Sequence, residues 1–514
     1  MQTKTTDLVF YQIYPKSFCD SNGDGFGDIK GVISKIDYLK KLGVNAVWLT
    51  PFFKSPNVDN GYDISDYKDI DEKIGTIAQV EEMIKRFHEQ GIIVIFDLVA
   101  NHTSTEHEWF KQSRSSKDNP YRDYYIWRET PPNDWQSSFG GSAWEYDEKT
   151  GEYYLHSFAI EQADLNWDNP KVREEMQGVV DFWLEKGVDG FRCDVLDMIS
   201  KDWENNLNYS GPNLHEYIRL LFGREHTKGI FTVGECWSAN AENMALFCLP
   251  SRNELTTAFA FQHLCLDNGR FFAQQPPLQE VCNRIANWQS STQKENILPT
   301  VFFENHDQPR SVSRFANDTV YRYESATMLG AIVLTHRGVP FLMQGQEIGL
   351  TNSYHSDMDE IIDVESVNYY QSQKGKMDEC ELVQAINFGG RDNPRHLLPW
   401  DENKQKSWIA PYSRQAEINI KKDLSSDKSV FAFYQELIAL RKSEPCLTQG
   451  EYHLLACNEK YYAYQRQWQG EEITVVCNFE KESEYTANHG EVVLSNYQSV
   501  EKTLKPYQVV IYKK

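Results

Sequence analysis

Short apolar runs alternate along the chain with longer segments in which apolar residues recur every three or four positions. The runs predict buried strands, and the wider spacing, as in residues 29–43 and 172–187, predicts amphipathic helices. Near-continuous apolar strands separated by helices are typical of a parallel sheet, and eight of them indicate a closed barrel. We therefore predict an α/β fold, a (β/α)8 TIM barrel, with strands in LVFYQIYP (8–15), NAVWLT (45–50), IIVIFDLVANH (92–102), VDGFRCDV (188–195), IFTVGEC (230–236), LTTAFAF (255–261), PTVFFENHD (299–307) and GVPFLMQGQEIG (338–349).

Two stretches depart from this repeat. Residues 103–167, after the third strand, are rich in Gly, Trp and Tyr and are too long for a simple loop, which predicts an insertion domain. After a last helical segment (429–444) the chain turns to strand-like runs, which predicts a C-terminal antiparallel β-sandwich domain at 445–514. The barrel then comprises residues 1–102 and 168–444.

The composition excludes several classes of partner. Lys and Arg number 52 against 75 Asp and Glu, for a formal net charge of −23. An anionic surface of this size repels nucleic acids and anionic membranes, and no run of apolar residues is long enough to predict a membrane span. The N-terminus lacks a secretory signal and the ten cysteines show no CxxC spacing, so a cytoplasmic chain with reduced thiols is expected. A monomer is expected, although the sequence itself does not determine the oligomeric state.

Polar residues gather where the predicted strands end. Strand three ends in Asp97, Asn101 and His102, strand four in Arg192 and Asp194, strand five in Glu235, and strand seven in Asn305, His306 and Asp307. In such barrels the loops after the strands surround one mouth, so these side chains are expected to converge there. A structural ion pair is the alternative for each residue alone. Burying three carboxylates at one mouth costs free energy, which favours a catalytic role for the group over structural ion pairing.

Paired carboxylates beside aromatic residues suit glycoside hydrolysis. An ionised carboxylate attacks the anomeric carbon while a protonated one gives its proton to the leaving oxygen. The protonated partner needs a raised pKa, from poor solvation or from a neighbouring negative charge. Aromatic residues make up 13% of the chain, which suits stacking on sugar faces as well as ordinary core packing. The predicted partner is a small oligosaccharide, and this chemistry requires no organic cofactor.

The segments that carry these residues resemble the motifs of one family. GFRCDV, TVGEC and ENHD look like the catalytic motifs of the α-amylase superfamily, glycoside hydrolase family 13. Support in order and spacing comes from YQIYPKSF (11–18), DNGYDISDY (59–67), ANHTS (100–104), FGGSAW (139–144) and QADLNW (162–167). Within the family, the oligo-1,6-glucosidases and dextran glucosidases are the most similar. The resemblance implies a barrel with a second and a third domain, and retention of the α configuration through a covalent glucosyl-enzyme.

The resemblance also implies roles for residues at the mouth. Asp194 would be the nucleophile, Glu235 the general acid/base and Asp307 the stabiliser of the transition state. Residues implied to hold or wall the first glucose are Tyr62, Asp63, His102, Phe158, Gln162, Arg192, His306 and Arg395. Val195 follows the nucleophile directly, and valine there accompanies α-1,6 preference in the similar enzymes. This predicts hydrolysis of α-1,6 bonds at the non-reducing end of isomaltooligosaccharides or dextran-derived oligosaccharides.

Three alternatives stay open. Trehalose-6-phosphate hydrolases share VDNGYD, STEH and the valine, but their longer segment after ISKD is replaced here by WENNLNYSGPNLHEY (203–217). Sucrose isomerases carry an arginine- and aspartate-rich loop after strand six, where HLCLDNGR (263–270) stands in this chain. A binding subunit that has lost its acids is the alternative from another class, and the presence of all three carboxylates speaks against it.

The loop DSNGDGFGD (20–28) alternates oxygen-bearing side chains with glycines after the first strand. The spacing mimics an EF-hand, but Gly31 stands where the bidentate glutamate belongs, so the residues alone leave ion binding open. The related glucosidases carry calcium, sometimes magnesium, on this loop. The resemblance therefore implies a structural calcium site made by the side chains of Asp20, Asn22, Asp24 and Asp28 and the main-chain carbonyl of Phe26.

Some positions depart from the family pattern. HLLPW follows Arg395 where TPMQW is usual, Gln346 replaces a common Glu, and Glu304 stands where Asn or Cys is usual. These changes put the preferred chain length in doubt. Cys193 and Cys236 flank the two main acids, which predicts that thiol reagents slow the enzyme, with inert buried cysteines as the alternative.

Overall fold

The computed structural model describes residues 4–264, 269–271, 275–403, 406–487 and 490–514. Residues 265–268 of the segment HLCLDNGR and residues 1–3 of the predicted N-terminus lie outside the described residues. The strands are β1 (Phe10–Ile13), β2 (Ala46–Leu49), β3 (Phe53–Lys54), β4 (Asp66–Ile70), β5 (Ile93–Val99), β6 (His102–Ser104), β7 (Trp127–Arg128), β8 (Trp144–Asp147), β9 (Glu152–Leu155), β10 (Gln162–Asp164), β11 (Gly190–Asp194), β12 (Phe231–Glu235), β13 (Thr257–Phe259), β14 (Thr300–Val301), β15 (Val339–Met343), β16 (Glu451–Cys457), β17 (Tyr461–Trp468), β18 (Glu471–Asn478), β19 (Ser483–Glu484), β20 (Glu491–Ser495), β21 (Thr503–Leu504) and β22 (Val509–Lys513).

The α-helices are α1 (Pro15–Phe18), α2 (Ile29–Ser34), α3 (Ile36–Leu42), α4 (Ile77–Glu89), α5 (Glu108–Ser113), α6 (Pro170–Glu185), α7 (Leu214–Phe222), α8 (Met244–Cys248), α9 (Leu278–Lys294), α10 (Ser311–Phe315), α11 (Arg322–Thr335), α12 (Val364–Gln373), α13 (Glu379–Gly389), α14 (Asp392–Arg395), α15 (Ile420–Leu424), α16 (Val430–Ser443) and α17 (Pro445–Gln449). Within the described residues, none of the helices combines the length and the apolar character needed to cross a membrane.

Eight strands of the described residues form one parallel sheet, in the spatial order β13-β12-β11-β5-β2-β1-β15-β14. Sequential strands lie side by side, with Phe10 opposite Ala46 in the first pair. Between β13 and β14 the contact is made by side chains. The Thr257 hydroxyl donates to the carbonyl of Leu298 at 2.7 Å, and the Thr300 hydroxyl to the carbonyl of Ala258 at 3.1 Å. The sheet is therefore a nearly closed barrel, and the predicted fold class is confirmed.

The helices pack around the barrel through one apolar face each, as α4 illustrates. Thr76 and Gln79 form a capping box at its start, which satisfies main-chain N–H groups that have no partner inside a helix. Its buried residues recur at three- and four-residue spacing: Val80, Met83, Ile84 and Phe87. Removing such a face from water stabilises the fold by roughly 25 cal/mol for each Å² of apolar surface.

The insertion after β5 is tied together at its base. β6 and β10 pair antiparallel, with His102 opposite Asp164, and β7, β9 and β8 form a three-stranded sheet in that order. The insertion has a small apolar core of its own, made by Ile126, Trp135, Ala143, Trp144 and Leu155. Because β6 and β10 directly adjoin the end of β5, the insertion lies beside the mouth of the barrel.

The C-terminal strands form an antiparallel sheet in the order β16-β17-β18-β22-β20. This sheet contacts α9, α11 and α17 on the barrel side. His336, directly after α11, lies 2.8 Å from the Tyr462 hydroxyl through its Nε2, which joins the two domains in their buried interface. Among the described residues the second layer holds only the short pair β19 and β21, so the predicted sandwich is a five-stranded sheet with a small cover.

Candidate active site

A cavity of about 430 Å³ opens where the barrel strands end, a usual size for a small-molecule site. All three predicted catalytic carboxylates line it: Asp194 ends β11, Glu235 ends β12, and Asp307 lies just beyond β14. They meet because parallel strands end at the same edge of the barrel. The other lining residues are Asp59, Tyr62, His102, Ser138, Phe139, Phe158, Val195, Asp197, Met198, Asn208, Tyr209, Trp237, Ser238, Arg270, Glu365 and Arg391.

Arg192 joins two of the carboxylates. It lies on β11 two residues before Asp194, so both side chains point to the same side of the strand. Its Nη1 donates to Asp194 Oδ1 at 2.7 Å and to Asp97 Oδ1 at 2.8 Å, and its Nη2 donates to Glu235 Oε2. Arg192 is only 1% exposed. One buried guanidinium group therefore holds Asp194 and Glu235 on the same wall of the cavity.

The two carboxyl groups share an environment that keeps a proton near neutral pH. Burial raises the pKa of Asp194 to about 7, against the opposing effect of Arg192. Burial likewise raises the pKa of Glu235 to about 7, with Arg192 opposing and the charges of Asp194 and Asp307 adding to the increase. Neighbouring carboxyl groups of this kind release their protons as a pair. Near pH 7 the pair can therefore supply one attacking carboxylate and one proton donor.

Asp307 is held in the opposite state. Burial raises its pKa, but His306, Arg395 and Arg391 outweigh burial and hold the pKa well below its ordinary value. Arg395 Nη2 donates to Asp307 Oδ1 at 2.6 Å, and Arg391 Nη1 lies 3.4 Å from the same oxygen. His306 Nε2 lies 3.0 Å from Asp307 Oδ2, while its Nδ1 lies 2.8 Å from Gln12 Nε2. Asp307 therefore stays ionised at neutral pH.

A buried ion pair forms part of the cavity wall. Arg391 Nη2 lies 3.0 Å from Asp59 Oδ1, and both side chains are 6% exposed. Gln162 Nε2 donates to Asp59 Oδ2 at 3.2 Å and lies 3.1 Å from His102 Nε2. The Arg391 guanidinium also lies 4.5 Å from the centre of the Phe139 ring. This part of the cavity wall combines hydrogen-bonding groups with an aromatic ring, which suits the binding of a sugar ring.

The remaining predicted sugar-binding residues divide into two sets. Tyr62, His102 and Phe158 line the cavity. Gln162 and His306 lie behind it: His306 stacks on the Tyr62 ring at a centroid distance of 5.1 Å, and Gln162 connects His102 to the buried ion pair. The second set orients the first by hydrogen bonds and stacking.

The structure corrects the predicted position of Asp63. Its side chain is fully buried and accepts hydrogen bonds from the main-chain nitrogens of Val58 and Asp59 at 2.9 and 3.0 Å, and from Ser55 Oγ at 2.9 Å. Asp63 therefore supports its own loop from inside and does not line the cavity. Asp59, four residues earlier in the same motif, faces the cavity instead.

Arg395 requires a similar correction. It is fully buried, and its Nε donates to the carbonyl of His306 at 2.9 Å, so it fixes Asp307 from behind. Arg391, four residues earlier in GRDNPR, lies at the cavity wall. The sequence gives no sign of this choice, because each motif holds two residues of the same type and only the folded loop determines which one faces the cavity.

Another part of the cavity wall carries Val195 and Trp237. Val195, directly after the nucleophile candidate, has a φ of 34°, a left-handed conformation that is rare for a β-branched residue. Trp237 is 43% exposed, stacks on Phe261 at a centroid distance of 4.0 Å, and donates from Nε1 to Glu235 Oε1 at 2.9 Å. Trp237 therefore lies where the lining is exposed to solvent, whereas Val195 is buried.

A further part of the cavity wall comes from a turn in the segment 203–217. Asn208 and Tyr209 line the cavity. Trp135 of the insertion donates from Nε1 to the carbonyl of Asn206 at 2.9 Å and stacks on Trp203 at a centroid distance of 4.8 Å. The insertion therefore fixes the position of this turn.

The predicted calcium loop has oxygen ligands of the right kind in a self-contained arrangement. Asp20 accepts three main-chain N–H groups of the loop, Asp24 accepts another, and Asp28 caps α2 by accepting the N–H of Gly31 at 2.7 Å. Over the residues that the structure describes, no group of three His, Cys, Asp or Glu side chains is arranged to hold a metal ion. The oxygen-bearing side chains of the loop are of the type that binds calcium, but their arrangement here is not that of a calcium site. The calcium ion therefore stays a prediction.

Cys193 and Cys236 are fully buried next to the two acids. Burial raises the pKa of both thiols. A buried thiol that keeps its proton reacts slowly with alkylating agents. The structure thus favours inert cysteines over the predicted sensitivity to thiol reagents.

Comparison with known proteins places the chain among relatives along nearly its whole length. The family model described as Alpha amylase, catalytic domain, matches residues 12–450. An oligo-1,6-glucosidase of Parageobacillus thermoglucosidasius is 42% identical, over 99% of this chain and 98% of its own length. A glucan 1,6-alpha-glucosidase of Streptococcus dysgalactiae subsp. equisimilis is 39% identical, over 97% and 95%. The crystal structure of trehalose-6-phosphate hydrolase from Bacillus licheniformis matches with a TM-score of 0.93 at 38% identity, covering 99% of both chains.

The chain therefore belongs to the alpha-amylase family, glycoside hydrolase family 13. It is a glycoside hydrolase of the α-glucosidase group. Because its relatives carry the names of different activities, the bond and the substrate have to be argued from the cavity.

Proposed function

We propose that the chain is an exo-acting α-glucosidase that hydrolyses α-1,6-glucosidic bonds at the non-reducing end of isomaltooligosaccharides and dextran-derived oligosaccharides. The observation that carries the proposal is the cavity itself. Asp59 and Arg391 form a buried ion pair in its lining, and Asp194 and Glu235 lie on its wall, held by one guanidinium. In this proposal the terminal glucose lies against the Asp59–Arg391 pair, and the rest of the oligosaccharide extends towards Trp237 and Tyr209, which are exposed residues of the lining.

The residues divide the reaction into two displacements at the same carbon. Asp194 attacks the anomeric carbon of the bound glucose while Glu235 gives its proton to the leaving oxygen. Water then attacks the glucosyl-enzyme, and Glu235 takes a proton from that water. Two inversions retain the α configuration. Asp307, kept ionised by its arginines, stabilises the positive charge that develops on the sugar ring.

Val195 supports preference for the α-1,6 bond. Its side chain offers an apolar surface without a hydroxyl group beside the nucleophile. An α-1,6 bond places an extra methylene group between the leaving sugar ring and the bridging oxygen, and a methylene group contacts an apolar side chain favourably. Valine at this position also accompanies α-1,6 preference in the enzymes that the sequence resembles.

The charge of the cavity supports a neutral glucoside over trehalose-6-phosphate. Of the two lining arginines in the described part of the chain, Arg391 pairs with Asp59 and Arg270 lies 3.1 Å from a carboxylate oxygen of Glu365. The described acidic lining residues are Asp59, Asp194, Asp197, Glu235, Asp307 and Glu365. A phosphate dianion would face this excess of negative charge without an unpaired cation among them.

A substrate panel tests the proposal. Released glucose is measured with isomaltose, isomaltotriose, panose, maltose, sucrose, trehalose and trehalose-6-phosphate, and proton NMR follows the anomer formed first. We expect isomaltose and isomaltotriose to have the highest kcat/KM, with α-glucose as the first product. Val195→Thr should raise the ratio of maltose to isomaltose hydrolysis, and Val195→Ile is the matched control. Faster release of glucose from trehalose-6-phosphate than from isomaltose would contradict the proposal.

A further inference from the structure

The loop that presents Asp59 has an unusual backbone. Asn57 and Asn60 have φ values of 65° and 51°, and Gly61 has a φ of 107°. Asparagine and glycine tolerate the left-handed region better than other residues do. Even so, several such residues in one short loop keep their conformation only when the surroundings fix it. Asp63 fixes the loop from inside through the main-chain N–H groups of residues 58 and 59.

A second anchor lies on the opposite side of the loop. Lys16 of α1 donates from Nζ to Asn57 Oδ1 at 3.2 Å and to Asn60 Oδ1 at 3.0 Å. The same ammonium group lies 3.9 Å from the centre of the Trp408 ring, which attracts it as a cation–π partner. Lys16 is therefore held in place on one side and binds the loop on the other.

These contacts surround Asp59 in the sequence without involving its carboxylate, which pairs with Arg391 and Gln162 at the cavity. Asn57 and Asn60 lie two residues before and one residue after Asp59. Lys16 itself lines a separate cavity of about 290 Å³, together with Asn57, Asn60 and Trp408. The lysine thus acts on the loop without lining the active-site cavity.

We propose that Lys16 is a positioning residue for glucose binding: by tying the asparagines on either side of Asp59, it sets the geometry of the Asp59–Arg391 pair in the wall of the active site. The inference rests on the proposed function in one respect, that a terminal glucose lies against this pair. It does not depend on the bond that is cleaved, because the measurements use an aryl glucoside in which no second sugar is linked to the glucose.

The first measurement compares Lys16→Met with Lys73→Met on p-nitrophenyl α-glucoside. Lys73 lines the same 290 Å³ cavity, but its ammonium lies over the Phe26 ring at 4.6 Å. Since positioning acts on the ground state and the transition state alike, Lys16→Met should raise KM about tenfold and change kcat less than about threefold. Lys73→Met should leave both constants unchanged, and Lys16→Arg, which keeps a charged donor, should restore KM.

A double-mutant cycle separates positioning from a general structural role. In an Asp59→Asn background, Lys16→Met should change KM less than about twofold, because the group that it positions has been altered. Lys16→Gln replaces Lys16→Met in both backgrounds if the methionine variant does not fold. A tenfold rise of KM in both backgrounds, or no rise in the wild-type background, overturns the proposal. The aryl glucoside contains no α-1,6 bond, so a failure of the linkage proposal on the substrate panel leaves this result interpretable.

Discussion

Arg192 contacts carboxylates from three strands: Asp97 on β5, Asp194 on β11 and Glu235 on β12. A guanidinium group presents several donors in a fixed plane, so it can hold two carboxylates at once, which the single ammonium of a lysine does less well. The neighbours of each acid then set its protonation. Asp194 and Glu235 share one buried cation and keep a proton near pH 7, whereas Asp307 has two arginines and a histidine and loses its proton.

The proton-donating role of Glu235 leads to a prediction about leaving groups. Glu235→Gln should lower kcat/KM for isomaltose by roughly 10²–10⁴-fold, because a sugar alkoxide needs a proton to leave. The loss should be much smaller with p-nitrophenyl α-glucoside, whose phenolate leaves without one. Steady-state kinetics on both substrates checks this, with Glu365→Gln as a control at the cavity wall. Equal losses on the two substrates would assign the proton to another group.

The paired acids also predict the pH dependence of kcat/KM. Because burial raises the pKa of both Asp194 and Glu235 to about 7, activity requires the pair to hold a single proton. We expect kcat/KM for isomaltose to be highest near neutral pH and to fall on both sides, with both limbs reporting the free enzyme. A rate that keeps rising to pH 10 would show that neither acid has to be protonated.

At the scale of elements, the sequence predicts the strands well and the loops poorly. The strand periodicity places Asp194 and Glu235 at strand ends, and the structure finds both there. The seventh strand was predicted over 299–307 and spans only Thr300–Val301. Its remaining residues leave the sheet and carry Asp307 into the cavity. No periodicity describes such segments, because hydrogen bonds to distant parts of the chain determine their course.

The two corrected residues have the same cause. Asp59 and Asp63, like Arg391 and Arg395, lie four residues apart in irregular or very short elements. The left-handed φ values of Asn60 and Gly61 turn the chain between the two aspartates, so one faces the cavity and the other its own loop. Such a turn depends on Lys16, which lies far away in the sequence, so the motif alone does not predict it.

The loop at 20–28 carries a prediction about metal removal. If it binds calcium through the oxygens of Asp20 and Asp24, chelation should lower the melting temperature and added calcium should restore it, because an ion that binds only the folded state stabilises that state. Differential scanning calorimetry with EDTA and with excess calcium measures this. Asp20→Asn/Asp24→Asn should abolish the response, while Asp118→Asn/Asp427→Asn, two exposed sites, should keep it. Identical melting temperatures for the wild type under both conditions would rule out a calcium-dependent fold.

At the scale of the whole molecule, the barrel buries ionisable groups that do not line the active-site cavity. Glu347 accepts hydrogen bonds from the hydroxyls of Tyr11 and Tyr38 at 2.8 and 2.7 Å, and Glu304 accepts one from the main-chain nitrogen of Ser311 at 3.0 Å. Arg310 lies 3.9 Å from Glu304. Burial raises the pKa of Glu304 and of Glu347, so their protonation differs between the folded and unfolded chain and links the stability of the entire fold to pH.

Glu304 should make stability decline with rising pH. Burial raises its pKa to about 7, whereas an unfolded glutamate has a pKa of about 4.3. The folded state therefore favours the proton, and this contribution is complete below about pH 4 and lost as the pH rises through about 7. Relative to Glu304→Gln, the wild type should lose up to about 3 kcal/mol of unfolding free energy between pH 4 and pH 8.

Calorimetric melting at pH 5 and pH 8 measures the difference. The gap in melting temperature between Glu304→Gln and the wild type should widen in favour of the variant at pH 8. Glu451→Gln, whose side chain is 70% exposed, is the control and should follow the wild type. A gap that does not change with pH would mean that Glu304 does not titrate in this range.

The ion pair of Asp59 and Arg391 affects how the enzyme acts on a polymeric substrate. In the proposed function a terminal glucose lies against this pair, so the cavity receives a chain terminus and does not straddle an interior bond, and every catalytic cycle shortens the proposed substrate by a single glucose. At a fixed mass of dextran in solution, longer chains give a lower molar concentration of chain termini. The velocity then follows the molar number of molecules in solution and not the quantity of sugar, and a ring-shaped isomaltooligosaccharide, which has no terminus, would remain intact.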